Sequence, residues 1–451
     1  MVKVRFAPSP TGYLHVGNAR TAILNYLFAK RHMGAFILRI EDTDRARSNP
    51  AFTKALINDL SWLGIKWDEG PYLQSERLHI YKEYAERMVA EKLAYKCFCS
   101  KERLTEIRQE RLKSRKAPKY DGKCRYLSDM ERAKLESNEV PYVIRFLAPQ
   151  KDVKFKDMIF GEIGFPSGYV DDFILIKADG TPSYNFAAAL DDMLMGITHV
   201  IRGRDHIPNT PKQILLFEAL GKSHPTYGHH PLLLEKDGKP LSKREGSKEI
   251  RTLRELGILP EAIFNYLGVL GRKIDREITD IKALIESFSI DSVSKSDAIF
   301  DFQKLLWLNK QHIKTLTSRE LILRANLKEE DTQILEALKD NIETLSDVKE
   351  MVDIFKSSKL SEEGIEFLQG VKDGERIAKI LKEALKNNQN VSFQSLTVKL
   401  KEEGISLTKE NMLTLRVLLT GRKIGPPIDS ILSLIPKEII LGRIECYLTS
   451  S

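Results

Sequence analysis

With 451 residues, 71 Lys+Arg against 63 Asp+Glu, 42% hydrophobic and 30% charged, the chain has an ordinary, well-charged composition, and at roughly 100–200 residues per domain its length suits two to four domains. No window approaches the ~18–20 uninterrupted apolar residues of a membrane span, and the start, MVKVRFAPSP, lacks the apolar core of a signal peptide; a cytoplasmic protein without membrane contact is expected. The whole surplus of eight positive charges lies in residues 1–300, because residues 301–451 hold 23 Lys+Arg and 23 Asp+Glu, a balance that suits a polyanionic partner through counterion release and equally suits solubility alone.

In chain order, residues 2–6 alternate Val2, Val4 and Phe6 with Lys3 and Arg5, which predicts a strand. APSPTG cannot continue it, and from Ala19 the apolar positions 23, 24, 27 and 28 follow helical spacing to Gly34. Residues 36–40 read as a second strand. The result is a βαβ unit with a parallel pair, whose ligands belong at the carboxyl ends of its strands. Asn49 and Pro50 predict an N-cap and first helical residue, with Phe52, Leu56, Leu60 and Leu63 inward. Another helix is predicted over about 76–95. From Cys97 to about Asp192 the texture changes to short strands at 142–147, 153–160 and 173–177, with a hairpin turn at Asp179 and Gly180. Alternation resumes with a strand at 196–202, a helix at 211–220 closed by Gly221, and the apolar run 231–234. Beyond about residue 255 every long segment has helical period, as in Ile334, Leu335 and Leu338, so the C-terminal third is predicted all-helical.

His15, Gly17 and Asn18 follow a strand and a loop containing Pro8, Pro10 and Gly12, at the start of the predicted helix. Helix N-termini favour anions, Gly17 permits close backbone approach, and a histidine can donate to a phosphate oxygen. Alone, the same pattern is that of a turn histidine capping a helix. Lys239 to Ser247, KPLSKREGS, is a cationic loop whose Lys243 and Arg244 could neutralise a triphosphate; alone it is a solvated charge run. Four cysteines exclude a disulfide framework, leaving Cys97, Cys99 and Cys124 as metal or packing residues and Cys446 isolated.

Five motifs in order, RFAPSPTGYLHVGNARTAILNYLFAKR at 5–31, LRIEDTD at 38–44, YNFAAALDD at 184–192, THVIRGRDH at 198–206 and PLSKREGS at 240–247, resemble bacterial glutamyl-tRNA synthetases, class I aminoacyl-tRNA synthetases. LTGRKIGPP at 419–427 is the best match in the helical part. The resemblance implies a Rossmann-type α/β parallel-sheet catalytic domain at 1–96 and 193–255 with an α+β connective, acceptor-binding insertion at 97–192. It implies a helical stem-contact region at 256–320 and a helical anticodon-binding domain at 321–451. It also implies ATP and Mg2+, tRNA and L-glutamate as partners, a monomer, and tRNA binding before glutamate is activated. His15, Gly17, Asn18, Lys243 and Arg244 would hold ATP, with His15 and Lys243 catalytic. Arg5 would read the side-chain carboxylate of glutamate, Glu41 its ammonium and Arg202 its α-carboxylate, with Tyr184, Ala7 and Ser9 completing the pocket. Without the motifs, Arg5 and Glu41 on neighbouring strands could be a structural ion pair.

The resemblance extends to a zinc site at Cys97, Cys99 and Cys124, with Tyr120 or Tyr126 as the fourth ligand of a closed tetrahedron. Two positions depart from the family pattern: Pro240 replaces the first lysine of the triphosphate loop, and Arg204 stands where glutamate is usual. As a strand residue two from Arg202, Arg204 would share its side. Both changes fit a divergent paralogue. The neighbouring readings are a glutaminyl-tRNA synthetase-like enzyme, a paralogue charging mainly tRNA for glutamine, a shorter enzyme that glutamylates a tRNA base, and a catalytically inactive tRNA-binding protein. APSPTG and the helical C-terminal third oppose the first, and the length opposes the third.

Overall fold

The alternation at the N-terminus forms β1 (Lys3–Phe6), paired in parallel with β2 (Ala35–Ile40) in the register Lys3 to Ala35 through Phe6 to Leu38. Between them lies α1 (Val16–Arg31), three residues longer at its start than the apolar spacing predicts. Its N-cap is His15, whose extended backbone and ring Nδ1, accepting from Gly17 N–H at 3.2 Å, start the helix before the first apolar repeat. Pro8 and Pro10 supply carbonyls instead of donors: Glu41 N–H donates to Pro8 O (2.9 Å) and Asn49 N–H to Pro10 O (3.3 Å), which pins the loop. Asn49 caps α2 (Pro50–Trp62) as expected, its side chain accepting from Ala51 N–H.

This computed structural model describes residues 1–44, 47–115, 117, 119–239, 248–274, 276–387, 391–425 and 427–450. They divide into one unit of residues 1–252 and 264–301 and another of residues 253–263 and 302–451.

In the first unit, β3 (Glu69–Leu73) adds to β2 in parallel. The sequence hides it behind a glycine and a proline. Gly70 has φ +96° and a Cβ there would lie 2.2 Å from Leu38 O, so only glycine closes the strand onto β2. The helix predicted over 76–95 is shorter: α3 (Leu78–Ala90) stops, Lys92 takes φ +60°, and Leu93 N–H returns to Met88 O (2.8 Å). Ala94–Cys97 is then a strand, β4, because it finds a partner distant in sequence.

The insertion carries helices as well as strands: α4 (Lys101–Lys113) and α5 (Asp129–Ser137), neither with a buried residue, which is why apolar periodicity misses them. β5 (Val143–Phe146) pairs antiparallel with β4. The strand predicted at 153–160 is β6 (Val153–Asp157) followed by a turn, since Asp157 Oδ1 accepts from Ile159 and Phe160 N–H, both at 2.9 Å. β7 (Gly161–Phe165) returns antiparallel to β6, and β8 (Ile174–Ile176) completes the β4-β5-β8 sheet.

After the Asp179–Gly180 turn come α6 (Tyr184–Leu194), β9 (His199–Gly203), α7 (Thr210–Ala219), β10 (Thr226–His230) and β11 (Leu233–Leu234). β10 pairs in parallel with β9. β9 meets β1 where Thr198 N–H donates to Lys3 O (2.9 Å) and Lys3 N–H to Thr198 Oγ1 (2.8 Å). A further short strand, β12 (Ala298–Ile299), pairs with β11. β2 is buried at all six positions, and Ile37, Phe186, Val200 and Tyr227 share one core with α3, α6 and α7. Each large apolar side chain so buried contributes about 1.5–3 kcal/mol.

The second unit is helical, as predicted. Capping boxes start several helices, at Thr317 with Glu320 and at Thr344 with Asp347, and Asn309 accepts from Leu259 N–H (2.8 Å) and donates to Glu343 O (2.6 Å).

Candidate active site

The carboxyl ends of β1, β2, β9 and β10 open into one cleft of about 620 Å³, and the structure gathers there nine residues expected from widely separated motifs. They are Arg5, Ala7, Ser9, His15, Gly17, Asn18, Glu41, Tyr184 and Arg202. The parallel sheet explains the convergence: Phe6, Glu41, Gly203 and His230 are where strands or their direct continuations stop. At one end of the cleft α1 presents its N-terminus, with Asn18 exposed. A Cβ on Gly17 would meet only His15 Nδ1, at 3.5 Å, so the glycine leaves room for a ligand rather than relieving a clash within the chain.

Lys243 and Arg244, with Pro240, lie outside the described residues. Their flanks are fixed beside His15: Glu249 bridges His15, Ile250 N–H donates to Leu14 O (2.8 Å), and Lys248 pairs with Glu235. Lys239 is exposed and pairs with Asp237 at 2.8 Å.

The wall formed by β1, β2 and α6 is dense in charge. Arg5 Nε donates to Asp192 Oδ1 (3.1 Å), and Arg39 donates to the same oxygen (2.7 Å) and to Glu41 (3.2 Å). Arg5 and Glu41 are therefore not simply an ion pair with each other; each has its own partner, linked through Arg39 and Asp192. Behind them Asp191 accepts from Tyr81 (2.7 Å), Gln74 (2.9 Å) and Arg77 (2.9 Å). Burial alone would raise Asp192, but Arg5 and Arg39 outweigh it and hold the carboxyl below its usual range. For Glu41 burial wins over Arg39 and Arg5, and its pKa is raised.

The opposite wall, from β9, β10 and α7, holds one buried cation, with Asp205 lining the cleft just past the end of β9. Arg202 is buried and donates once from each guanidinium nitrogen, Nη1 to Gln213 Oε1 (2.9 Å), Nη2 to Thr210 Oγ1 (2.8 Å) and Nε to His229 Nε2 (3.2 Å), which leaves the second N–H of each Nη for a ligand. The Tyr227 ring lies 5.4 Å beneath it. Among the described residues no carboxylate pairs directly with it. Tyr184 Oη is 3.0 Å from His206 Nδ1, and His206 is lowered to about 4 by burial and then by Arg202.

Arg204 does not join Arg202. β9 ends at Gly203, and Arg204 turns away to Asp297 (2.8 Å), whose other oxygen accepts from Leu232 N–H (2.9 Å). Sequence reasoning missed Arg39, Asp192, Thr210, Gln213 and His229; the Asp-Asp pair ending the apolar α6 segment and the His-His pair ending β10 are the signals that could have found them.

Away from the cleft, the Cys97, Cys99 and Cys124 sulfurs lie within 4.8 Å of one another, Cys99 and Cys124 at 3.5 Å. Tyr120 Oη is 3.4 Å from Cys97 Sγ and 3.5 Å from Cys99 Sγ, whereas Tyr126 is 81% exposed. Of the two oxygen candidates only Tyr120 is in place. The hydrogen bond from Cys124 lowers Cys97 to about 4 despite burial.

Residues 1–307 match the family described as tRNA synthetases class I (E and Q), catalytic domain, and residues 303–448 match the anticodon binding domain. Over 475 residues and 99% of both chains, the sequence is 39% identical to the Glutamate–tRNA ligase of a Sulfurihydrogenibium species. It is 42% identical, over 98% of both chains, to that of Aquifex aeolicus. The crystal structure of a glutamate tRNA ligase from Elizabethkingia meningosepticum in complex with its amino acid superposes with a TM-score of 0.82 at 31% identity, covering 100% of this chain and 99% of that one.

Proposed function

This chain belongs to the class I tRNA synthetases of the E and Q type, and on that premise we propose that it is a glutamate–tRNA ligase using ATP. Glutamate's α-carboxylate oxygen attacks the α-phosphorus and displaces pyrophosphate, giving glutamyl adenylate. The 2′-hydroxyl of the terminal adenosine of tRNA then attacks the glutamyl carbonyl and releases AMP. No side chain need act as nucleophile; the chain's residues position and neutralise.

The α1 N-terminus with His15, Gly17 and Asn18 holds the phosphates, and Lys243 and Arg244 neutralise charge that builds on the leaving pyrophosphate. Arg5 keeps its terminal nitrogens for the side-chain carboxylate, Glu41 takes the ammonium, and Arg202 takes the α-carboxylate. Tyr184, Ala7 and Ser9 complete the pocket. Mg2+ bound to the triphosphate would add Lewis-acid charge neutralisation.

The observation that carries this reading is the pair of buried guanidinium groups facing a carboxylate in one cleft with a helix N-terminus, the charge pattern complementary to glutamate beside a phosphate. Zinc, held by Cys97, Cys99, Cys124 and Tyr120, would be structural: the sulfur spacing suits the edges of a thiolate tetrahedron, and none of these residues lines the cleft. We propose, too, acceptor-arm contacts in 97–192, stem contacts in 256–320 and anticodon reading in 321–451. Aminoacylation with labelled glutamate tests the activity: charging of purified tRNA that requires ATP supports it, and charging at background for every tRNA overturns it.

A further inference from the structure

Behind Arg202, and outside the lining of the cleft, sit two fully buried residues that the reaction does not use, His229 and Asp157. Arginine can only donate, so His229 Nε2 accepts from Arg202 Nε at 3.2 Å, with the Thr210 hydroxyl, 3.1 Å away, beside the same nitrogen. The ring proton is thereby placed on Nδ1, where Asp157 Oδ2 accepts at 2.6 Å; the same oxygen also accepts from His229 N–H at 3.1 Å. Burial and then Arg202 keep His229 below its ordinary pKa against the pull of Asp157, so the imidazole stays neutral. Burial would raise Asp157, but the bonds from His229, Phe160 and Ile159 outweigh it and keep the carboxylate charged. Tyr227 stacks on the imidazole with ring planes 11° apart.

We infer that Asp157 and His229 form a positioning pair: Asp157 selects the Nδ1–H tautomer, and His229 Nε2 then locks the Arg202 guanidinium in the plane that receives the amino acid's α-carboxylate. The inference rests on the reading of Arg202 as the α-carboxylate ligand. It gives the insertion a part in amino-acid binding, because Asp157 ends β6 rather than any strand of the parallel sheet. Asp157 uses its oxygens unequally: Oδ1 closes its own turn and takes the longer bond from His229 N–H (3.3 Å), while Oδ2 sets the ring.

Steady-state kinetics of the full chain with saturating tRNA separate positioning from general structure. Losing the acceptor in His229→Ala should raise KM for glutamate about 10- to 100-fold, the scale of a hydrogen bond to a charged group, with KM for ATP and kcat changed by less than about threefold. His229→Gln puts an amide oxygen near the Nε2 position and should stay within about fivefold of the unmutated protein. Asp157→Asn presents a donor to Nδ1, favours the other tautomer and turns N–H against N–H at Arg202; it should match His229→Ala even though its turn is kept. The pair is refuted if Asp157→Asn leaves KM for glutamate unchanged, or if His229→Gln is as impaired as His229→Ala. Arg202→Ala is the control. If it too leaves KM for glutamate unchanged, the assignment of Arg202 fails; if it raises KM while Asp157→Asn does not, only the positioning pair fails.

Discussion

The two walls of the cleft hold their arginines in opposite ways. Arg5 stands among charges, sharing Asp192 with Arg39, which in turn holds Glu41. Arg202 stands among neutral acceptors, Gln213, Thr210 and His229, with a carboxylate only one imidazole further away. A buried cation without an adjacent counter-ion is costly unless something anionic arrives. On the proposed reading, the Arg202 wall would receive an anion and set its direction, whereas the charged wall, already balanced, would add selectivity through the nitrogens Arg5 has left.

Truncation at the Arg202 wall should do the most damage. Arg202→Ala is expected to lower kcat/KM for glutamate by about 10³-fold, from roughly 3–5 kcal/mol for a buried ion pair. Arg202→Lys should recover little of it, because one ammonium cannot replace three directed donors. Lys243→Ala tests whether the walls act independently of the triphosphate loop: amino-acid activation should slow by about 10²- to 10³-fold with glutamate binding nearly unchanged, and Lys239→Ala should do much less. Pre-steady-state rates in the reverse order would mean that Lys239, not Lys243, is the working lysine.

A pH titration distinguishes the walls more finely. The pKa of Glu41 is raised by burial against Arg39 and Arg5, so as pH falls its protonation begins above the ordinary carboxylate range, and the ammonium loses its partner. KM for glutamate should rise through that window in the unmutated protein. In Glu41→Gln it should be high and flat across the same range. An unmutated profile flat down to the ordinary carboxylate range would remove Glu41 from the binding site. The smallest effect on glutamate is expected away from both walls: Tyr120→Phe, which removes the fourth ligand, should lower zinc affinity by at least about tenfold, Tyr126→Phe should leave it unchanged, and neither should alter KM for glutamate. Zinc content by atomic absorption and the same kinetics check both statements.

Much of this comparison was legible in the sequence, for stated physical reasons. β1 carried clean alternation, β2 a continuous apolar run and α2 capping with apolar spacing, and Arg5, Glu41 and Arg202 sit at strand ends, with His15 at the α1 N-terminus, where a parallel sheet places ligands. β3 was hidden because Gly70 and Pro71 break a strand pattern, and β4 because its partner, β5, is about 50 residues away. α4 and α5 were hidden because they bury nothing. The partners of the two arginines were invisible for a related reason: Asp192, Gln213 and His229 reach them across 187, 11 and 27 residues. Arg204 shows the converse, since strand periodicity would have placed it in the pocket had β9 not ended one residue earlier.

On the proposed reading, the charged wall distinguishes a carboxylate from an amide. With an amide in that place, Arg5 would lack its charged partner, although Asp192 softens the penalty. Charging of purified tRNA by the unmutated protein, with labelled glutamate and labelled glutamine assayed side by side, measures this directly. Glutamate charged at least about 10²-fold more efficiently than glutamine, with the preference lost in Arg5→Ala, is the predicted result; equal charging of the two amino acids would contradict the account.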